Sequence, residues 1–201
     1  MKFKTITLAI ILLSSFALSS QADTIMFQGV ATTFSPTWVV QVTPSSPYTE
    51  DGYTFTPLNN QSAITSYAYP SRTFPGDGTD WFGFNAGNTI TMATATPGGT
   101  FSIGSLDVGP DSAAVSSNGF TDVTVDGYVG STLTYTQTFT DLTTETLETL
   151  NWTGLSSFTI SADYSAGMDN ISTDLGPTVP EPGTMVLLGA GLIAVGWRRR
   201  R

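Results

Sequence analysis

Two residue types are missing from this 201-residue chain, which has no Cys and no His. Without Cys there are no disulfides, no thiolate metal sites and no Cys nucleophile. Without His there is no His-based triad, no imidazole proton shuttle and no His-ligated zinc. Charge is scarce as well. Only 11% of the residues are charged, under half the roughly 25% usual in soluble domains. Positive charge is scarcest, with seven Lys and Arg against 16 Asp and Glu. Lys2 and Lys4 open the chain, Arg198, Arg199, Arg200 and Arg201 close it, and only Arg72 lies between. From Asp23 to Pro180, fifteen acidic residues face one Arg, a formal charge of −14. Such a segment repels a phosphate backbone, which argues against nucleic acid as a partner.

The two basic ends read as address labels. Lys2 and Lys4 precede an almost wholly apolar run from Ile6 to Leu18, followed by Ser20-Gln21-Ala22 with small residues at the two positions that a signal peptidase inspects. This is the layout of a secretory signal peptide over residues 1–22, cut between Ala22 and Asp23. The alternative, an uncleaved anchor, suits the run less well, because a span needs ~20 apolar residues. Signal peptidase is therefore an expected partner, and the mature chain is expected outside the cytoplasm.

At the other end, Val179-Pro180-Glu181-Pro182-Gly183-Thr184 precedes a Gly-rich apolar run from Met185 to Trp197 and then the four Arg. Pro180 and Pro182 hold this stretch extended, the backbone form a membrane-embedded peptidase can grip. The Arg cluster acts as a stop that keeps the end cytoplasmic. The apolar run, as a helix, would be ~20 Å long, short of the ~30 Å hydrocarbon core. These features in this order resemble the bacterial PEP-CTERM sorting signal, over residues 179 to 201. The resemblance implies an exosortase, a membrane transpeptidase of Gram-negative bacteria that make exopolysaccharide, as the processing partner. It further implies removal of the helix near Pro180–Pro182, transient inner-membrane anchoring, and delivery to the cell surface or extracellular matrix. A permanently anchored surface protein is the plain alternative.

Residues 23–176 form the expected folded domain, with 177–201 as the sorting segment. Thr occurs 34 times in the chain, and Thr, Val, Ile, Tyr and Phe favour pleated, half-buried surfaces. Apolar and polar residues alternate over Gly52–Pro57, Thr121–Val129, Leu133–Phe139 and Phe158–Ile160, the period of a strand. Leu133, Tyr135, Gln137 and Phe139 share one face by this count. Gly, Pro, Asn and Asp punctuate the intervals, as at Pro75-Gly76-Asp77-Gly78 and Pro97-Gly98-Gly99. Asp126-Gly127 suits either a hairpin turn or a bulge inside one strand, whereas Gly130-Ser131 reads as a turn. Thr143–Trp152 favours a strand over a short helix. Short strands at these intervals predict an all-β, two-sheet β-sandwich, with jelly roll as the favoured version. The order of Tyr48–Phe55, Phe101–Val108 and a final Met168-Asp169-Asn170-Ile171 is similar to that of galactose-binding-like jelly rolls. That resemblance supports fold more than activity.

No catalytic residues stand out. A glycosidase needs two carboxylates across a cleft, but no spacing singles out a pair, and most Asp here sit beside Gly or Pro as turn residues. A carbohydrate-active enzyme built on such a pair remains the rival reading. Acyl transfer would lack a base for its Ser. The same acidic loops offer oxygen ligands of the kind Ca²⁺ takes. Asp77 and Asp80 in one loop, with Asp169 and Asn170 from the last strand, are the candidate metal ligands, and Asp107 with Asp111 is a second loop of that kind. Ordinary turns are the competing reading of each. For glycan stacking, flat aromatic faces are needed. Trp38 and Trp81 are the principal candidates, followed by Tyr67 and Tyr69, with Arg72 nearby. Burial in the core competes at each position, and Trp152 reads as core. Asn60-Gln61-Ser62 matches the N-glycosylation pattern, which in a bacterial Ser/Thr-rich chain reads as chance. The sequence thus describes an exported, non-enzymatic structural or glycan-adhesive component of exopolysaccharide or biofilm.

Overall fold

The computed structural model describes residues 22–31, 39–66, 78–111, 114, 117 and 119–175. Among them are thirteen strands. They are β1 (Ala22–Ile25), β2 (Val39–Val42), β3 (Tyr48–Glu50), β4 (Tyr53–Pro57), β5 (Ser62–Thr65), β6 (Trp81–Phe84), β7 (Thr89–Thr94), β8 (Phe101–Pro110), β9 (Thr121–Val129), β10 (Thr132–Leu142), β11 (Thr146–Leu155), β12 (Ser157–Ala162) and β13 (Ala166–Leu175). Ala114 and Ser117 carry helical backbone. No helix among the described residues is long and apolar enough to cross a membrane.

The strands form two antiparallel sheets. One has the order β11-β8-β13-β6-β5-β2, with β1 also paired to β13; the other has the order β10-β9-β12-β7-β4-β3. From β6 onward the chain crosses between sheets at nearly every connection, and β9–β10 is the one hairpin in that stretch. This is the two-sheet sandwich with jelly-roll connectivity that the alternation predicts.

Alternation decides which side of each strand is buried. Along β9, Thr121, Val123, Val125 and Gly127 face inward while Asp122, Thr124, Asp126 and Tyr128 are half-exposed. In β4, Tyr53 and Phe55 are fully buried. Aromatic rings fill the space between the sheets. Phe27 lies 5.2 Å from Phe55 and 5.5 Å from Phe82, and Tyr53 meets Phe101 edge-on at 5.3 Å. Offset and edge-on contacts of this kind add to plain area burial. A Cys-free domain of this size holds itself together by such a core.

Asp126-Gly127 lies inside β9, so the hairpin alternative fails there. Gly130-Ser131 makes the turn, with Gly130 at a φ of 62°, the conformation a two-residue primed turn requires. Gly127 has a different role. A Cβ there would stand 2.9 Å from both Trp152 and Leu155, so its bare backbone admits Trp152 against the opposite sheet. Thr143–Trp152 contributes to β11, as the strand reading expects. Leu133 departs from expectation. The register of β10 against β9 shifts between Leu133 and Tyr135, which turns Leu133 outward, and it is 51% exposed.

Both ends of the sandwich meet at one corner. Ala22 pairs with Asp174 and Ile25 with Ile171. β6 pairs with the other half of β13, from Ala166 to Met168. β1 and β6 therefore share one edge of β13, end to end.

Candidate functional site

The junction between β1 and β6 collects most of the acidic residues the sequence singles out. Thr79 and Asp80 precede β6, and Asp169-Asn170 occupies β13 opposite them. Asn170 has a φ of 47°, which Asn tolerates better than most residues. The register of β13 against β8 shifts just beyond it. The Thr79 hydroxyl donates to Asp169 Oδ2, and the Asn170 N–H donates to Asp169 Oδ1 at 2.7 Å. Asn170 Nδ2 donates to Asp107 Oδ2 at 2.8 Å. Asp80 Oδ2 accepts from the Ala31 N–H at 3.1 Å. Asp80 and Asp169 are buried, and hydrogen bonds to the ionised form are what make such burial tolerable.

Of the candidate metal ligands, Asp80, Asp169 and Asn170 lie at this junction, where they join a hydrogen-bonded brace between strands. No group of three or more acidic side chains suited to a metal forms among the described residues. Asp77 lies outside them. Asp107 and Asp111 serve separate tasks, because Asp111 accepts from the Ala114 N–H at 3.0 Å, the geometry of a helix N-cap.

Trp81 takes the core position that competes with stacking there. It is 1% exposed, and its ring lies against Gly83, where a Cβ would overlap it. A buried ring offers no face to a sugar, so Trp81 is a packing residue. Trp38, Tyr67, Tyr69 and Arg72 lie outside the described residues, as do residues 179–184 and 198–201. The expected signal-peptidase bond, Ala22–Asp23, falls at the first residue of β1.

A second polar cluster braces the segment after β1. The Tyr48 hydroxyl donates to Glu50 Oε2 at 3.0 Å. Burial pushes the Glu50 carboxyl above its ordinary value of 4.5, and the charge of Asp51 adds to this. Hydrogen bonds from Tyr48 and from the Met26 and Phe27 N–H groups oppose the rise. Burial beside Glu50 likewise pushes the Tyr48 phenol well up, so Tyr48 remains a donor at any ordinary pH. A carboxyl raised in the folded state binds its proton more tightly there than in the unfolded chain. Its contribution is fully present below 4.5 and is lost as pH rises through the folded value. Glu50→Gln removes this titration. Thermal melts from about pH 4 to pH 7 should show the variant gaining on wild type as pH rises. A constant difference across that range would contradict the assignment.

On the outward face of the larger sheet, a groove of about 170 Å³ opens between β2, β5 and β6. Gln41, Asn60, Gln61 and Asn85 form its rim, and Ala63 and Gly83 its floor. Asn85 Oδ1 is engaged by the Ser165 hydroxyl at 3.0 Å. The side-chain amides of Gln41, Asn60 and Gln61 make no hydrogen bond with any described residue, and all three residues are exposed. In sequence, Asn60 and Gln61 stand out only as part of an N-glycosylation pattern, and Gln41 does not stand out. Their signal was the run Asn59-Asn60-Gln61, which looks like an ordinary turn until β2 and β6 supply the remaining walls. A second groove of about 220 Å³ borders Trp152 at the sandwich edge, lined by Ser102, Asn151, Thr153 and Ser172 among others.

Comparison with known proteins identifies the C-terminal segment. Residues 178–201 match the PEP-CTERM protein-sorting motif. The match indicates export by exosortase-type sorting in a Gram-negative bacterium. No curated protein matches the chain. Among solved structures, a CBM51-2 and INT fragment of Clostridium perfringens ZmpB is 16% identical over 58% of this chain and 26% of that one, with a TM-score of 0.35. The CBM51-2 and INT structure with GlcNAc, from the same protein, is 15% identical over 65% of this chain and 29% of that one, also at 0.35. A family 32 CBM of C. perfringens NanJ, solved with galactose, is 10% identical over 65% of this chain and 99% of that one, at 0.33. The chain thus spans under a third of the ZmpB chains it matches. At these TM-scores the likeness bears no weight, and the fold stands on its own strand pairing.

Proposed function

We propose that the protein is an exported, non-enzymatic component of the cell surface or extracellular matrix, with a structural or glycan-adhesive role in exopolysaccharide. The observation that carries this reading is the PEP-CTERM motif at residues 178–201, following directly on the last strand of a sandwich. Signal peptidase removes residues 1–22, and Asp23 then begins the mature chain within β1. Exosortase removes the apolar segment near Pro180–Pro182.

Geometry favours adhesion once the chain is tethered. Tethers at Ala22 and Leu175 leave from one corner, whereas the amide groove lies by Ala166, at the start of β13. Nine residues of strand separate the two, roughly 30 Å. The groove therefore lies at the far end of β13 from both points where the end segments join the sandwich. Production in paired hosts, with and without an exosortase, tests the reading. Release from the membrane fraction is expected only where the exosortase is present. Equal release in both hosts would sink it.

A further inference from the structure

We infer that the groove rimmed by Gln41, Asn60 and Gln61 binds an uncharged sugar unit of a polysaccharide, and that acidic polysaccharides are not its ligand. The inference rests on the adhesive reading above and specifies its site and ligand class. Three observations support it, each independent of the other two.

The first is the unused hydrogen-bonding capacity. A primary amide presents two donors and one acceptor oxygen in a plane, which suits the paired hydroxyls of a pyranose. The amides of Gln41, Asn60 and Gln61 are exposed, converge on one groove and are engaged by no described residue. Their neighbours are engaged. Ser62 donates to the Val42 carbonyl at 3.0 Å, and Asn59 accepts from the Gln61 N–H at 2.9 Å. Those contacts stiffen the loop, so the unengaged amides are presented from a fixed frame rather than a mobile one.

The second is the floor. Ala63 and Gly83 pair across β5 and β6, and both are small. They form a shallow apolar base below a polar rim, the division of labour seen in small-molecule sites. The volume, about 170 Å³, is on the order of one sugar ring rather than an extended drug-like ligand.

Charge is the third. Among the described residues, no ionisable side chain lines the groove. Between Asp23 and Pro180 the chain carries fifteen acidic residues and a single Arg. A uronate or sulfated polymer would approach a strongly negative field, with no cation among the groove's described lining residues to receive it. A neutral polymer meets no such barrier. Glycan binding of this kind should also depend little on salt.

The test uses the purified sandwich-bearing protein and two insoluble probes, a neutral glucan and an alginate-type polyuronate, in pull-down assays. Wild type is expected to sediment with the neutral glucan and not with the polyuronate, at low and high salt alike. The double substitution Gln41→Ala/Asn60→Ala should weaken sedimentation at least tenfold. Gln61→Glu should do the same by placing a carboxylate on the rim. Both changes are at exposed positions without internal hydrogen bonds, so unchanged thermal melts should accompany the loss. Wild-type binding to the neutral glucan that survives all three substitutions overturns the groove assignment and leaves the adhesive reading intact. Preference for the polyuronate overturns the ligand class. Failure of wild type to bind either probe counts against the groove and the adhesive role together, while exosortase-dependent release would still stand.

Discussion

Exchanging Pro180, Glu181 and Pro182 together for Ala is expected to abolish C-terminal processing. The two prolines fix φ and remove two backbone donors, so this segment cannot join the apolar run as one helix. Alanine is the best helix former, about 3 kcal/mol per residue more favourable than Pro in a helix interior. On the proposed account, the triple substitution therefore favours helix in a segment that the exosortase must grip extended. The protein should remain uncut in the membrane fraction with its Arg tail attached. The sandwich should melt as before, because its last strand ends at Leu175. Membrane and extracellular fractions resolved by immunoblot would read the result. Release at the wild-type level would show that processing does not depend on the Pro-Glu-Pro element.

Trp152→Ala is expected to destabilise the sandwich strongly. Trp152 lies on β11, an edge strand of the larger sheet, and is 8% exposed. Its ring stacks on Tyr135, from the edge strand of the other sheet, at 5.2 Å with planes 12° apart. It also meets Phe158 at 6.2 Å. The pair closes the side of the sandwich where β10 and β11 lack further strands. Removing a buried Trp ring costs about 3–5 kcal/mol, against a total stability of roughly 5–15 kcal/mol. At about 2–4 °C per kcal/mol for a domain of this size, Tm should fall by roughly 6–20 °C. Trp152→Phe retains a ring for Tyr135 and should lose clearly less. Calorimetric melts of the three proteins decide this. A loss in Trp152→Ala of under about 2 °C would mean that the edge is closed by something else.

How much of this was legible beforehand depended on how local each signal was. Contiguous signals survived translation into structure. The order of prolines, apolar run and Arg cluster needs no folding to be read, and it corresponds to residues 178–201 of the sorting motif. Alternation in β4, β9 and β12 likewise located buried faces, because a strand's period of two is set by the backbone alone. Signals that depend on register were less secure. One shift between Leu133 and Tyr135 was enough to turn Leu133 off the face that the sequence count shares between them.

Non-local features were the hardest to read. Trp81 sits beside an acidic loop in sequence, which suggests exposure, but its ring is accommodated by Gly83 two residues along the same strand. Asp80 lies far in sequence from Asp169 and Asn170, and they meet at the junction of β1, β6 and β13. Which donors reach such carboxylates depends on the fold, and here the Ala31 and Asn170 N–H groups and the Thr79 hydroxyl supply them. The amide groove needs β2, β5 and β6 assembled before Gln41 meets Asn60 and Gln61. Twenty residues of sequence separate its two sides, and no local pattern marks the pairing.

The most direct measurement is the intact mass of the mature protein, with both termini sequenced. Two cuts are predicted, giving a chain that begins at Asp23 and ends close to Pro180–Pro182, without Arg198–Arg201. A mature protein that retains Arg201 would contradict the sorting account, whatever its sandwich is found to bind.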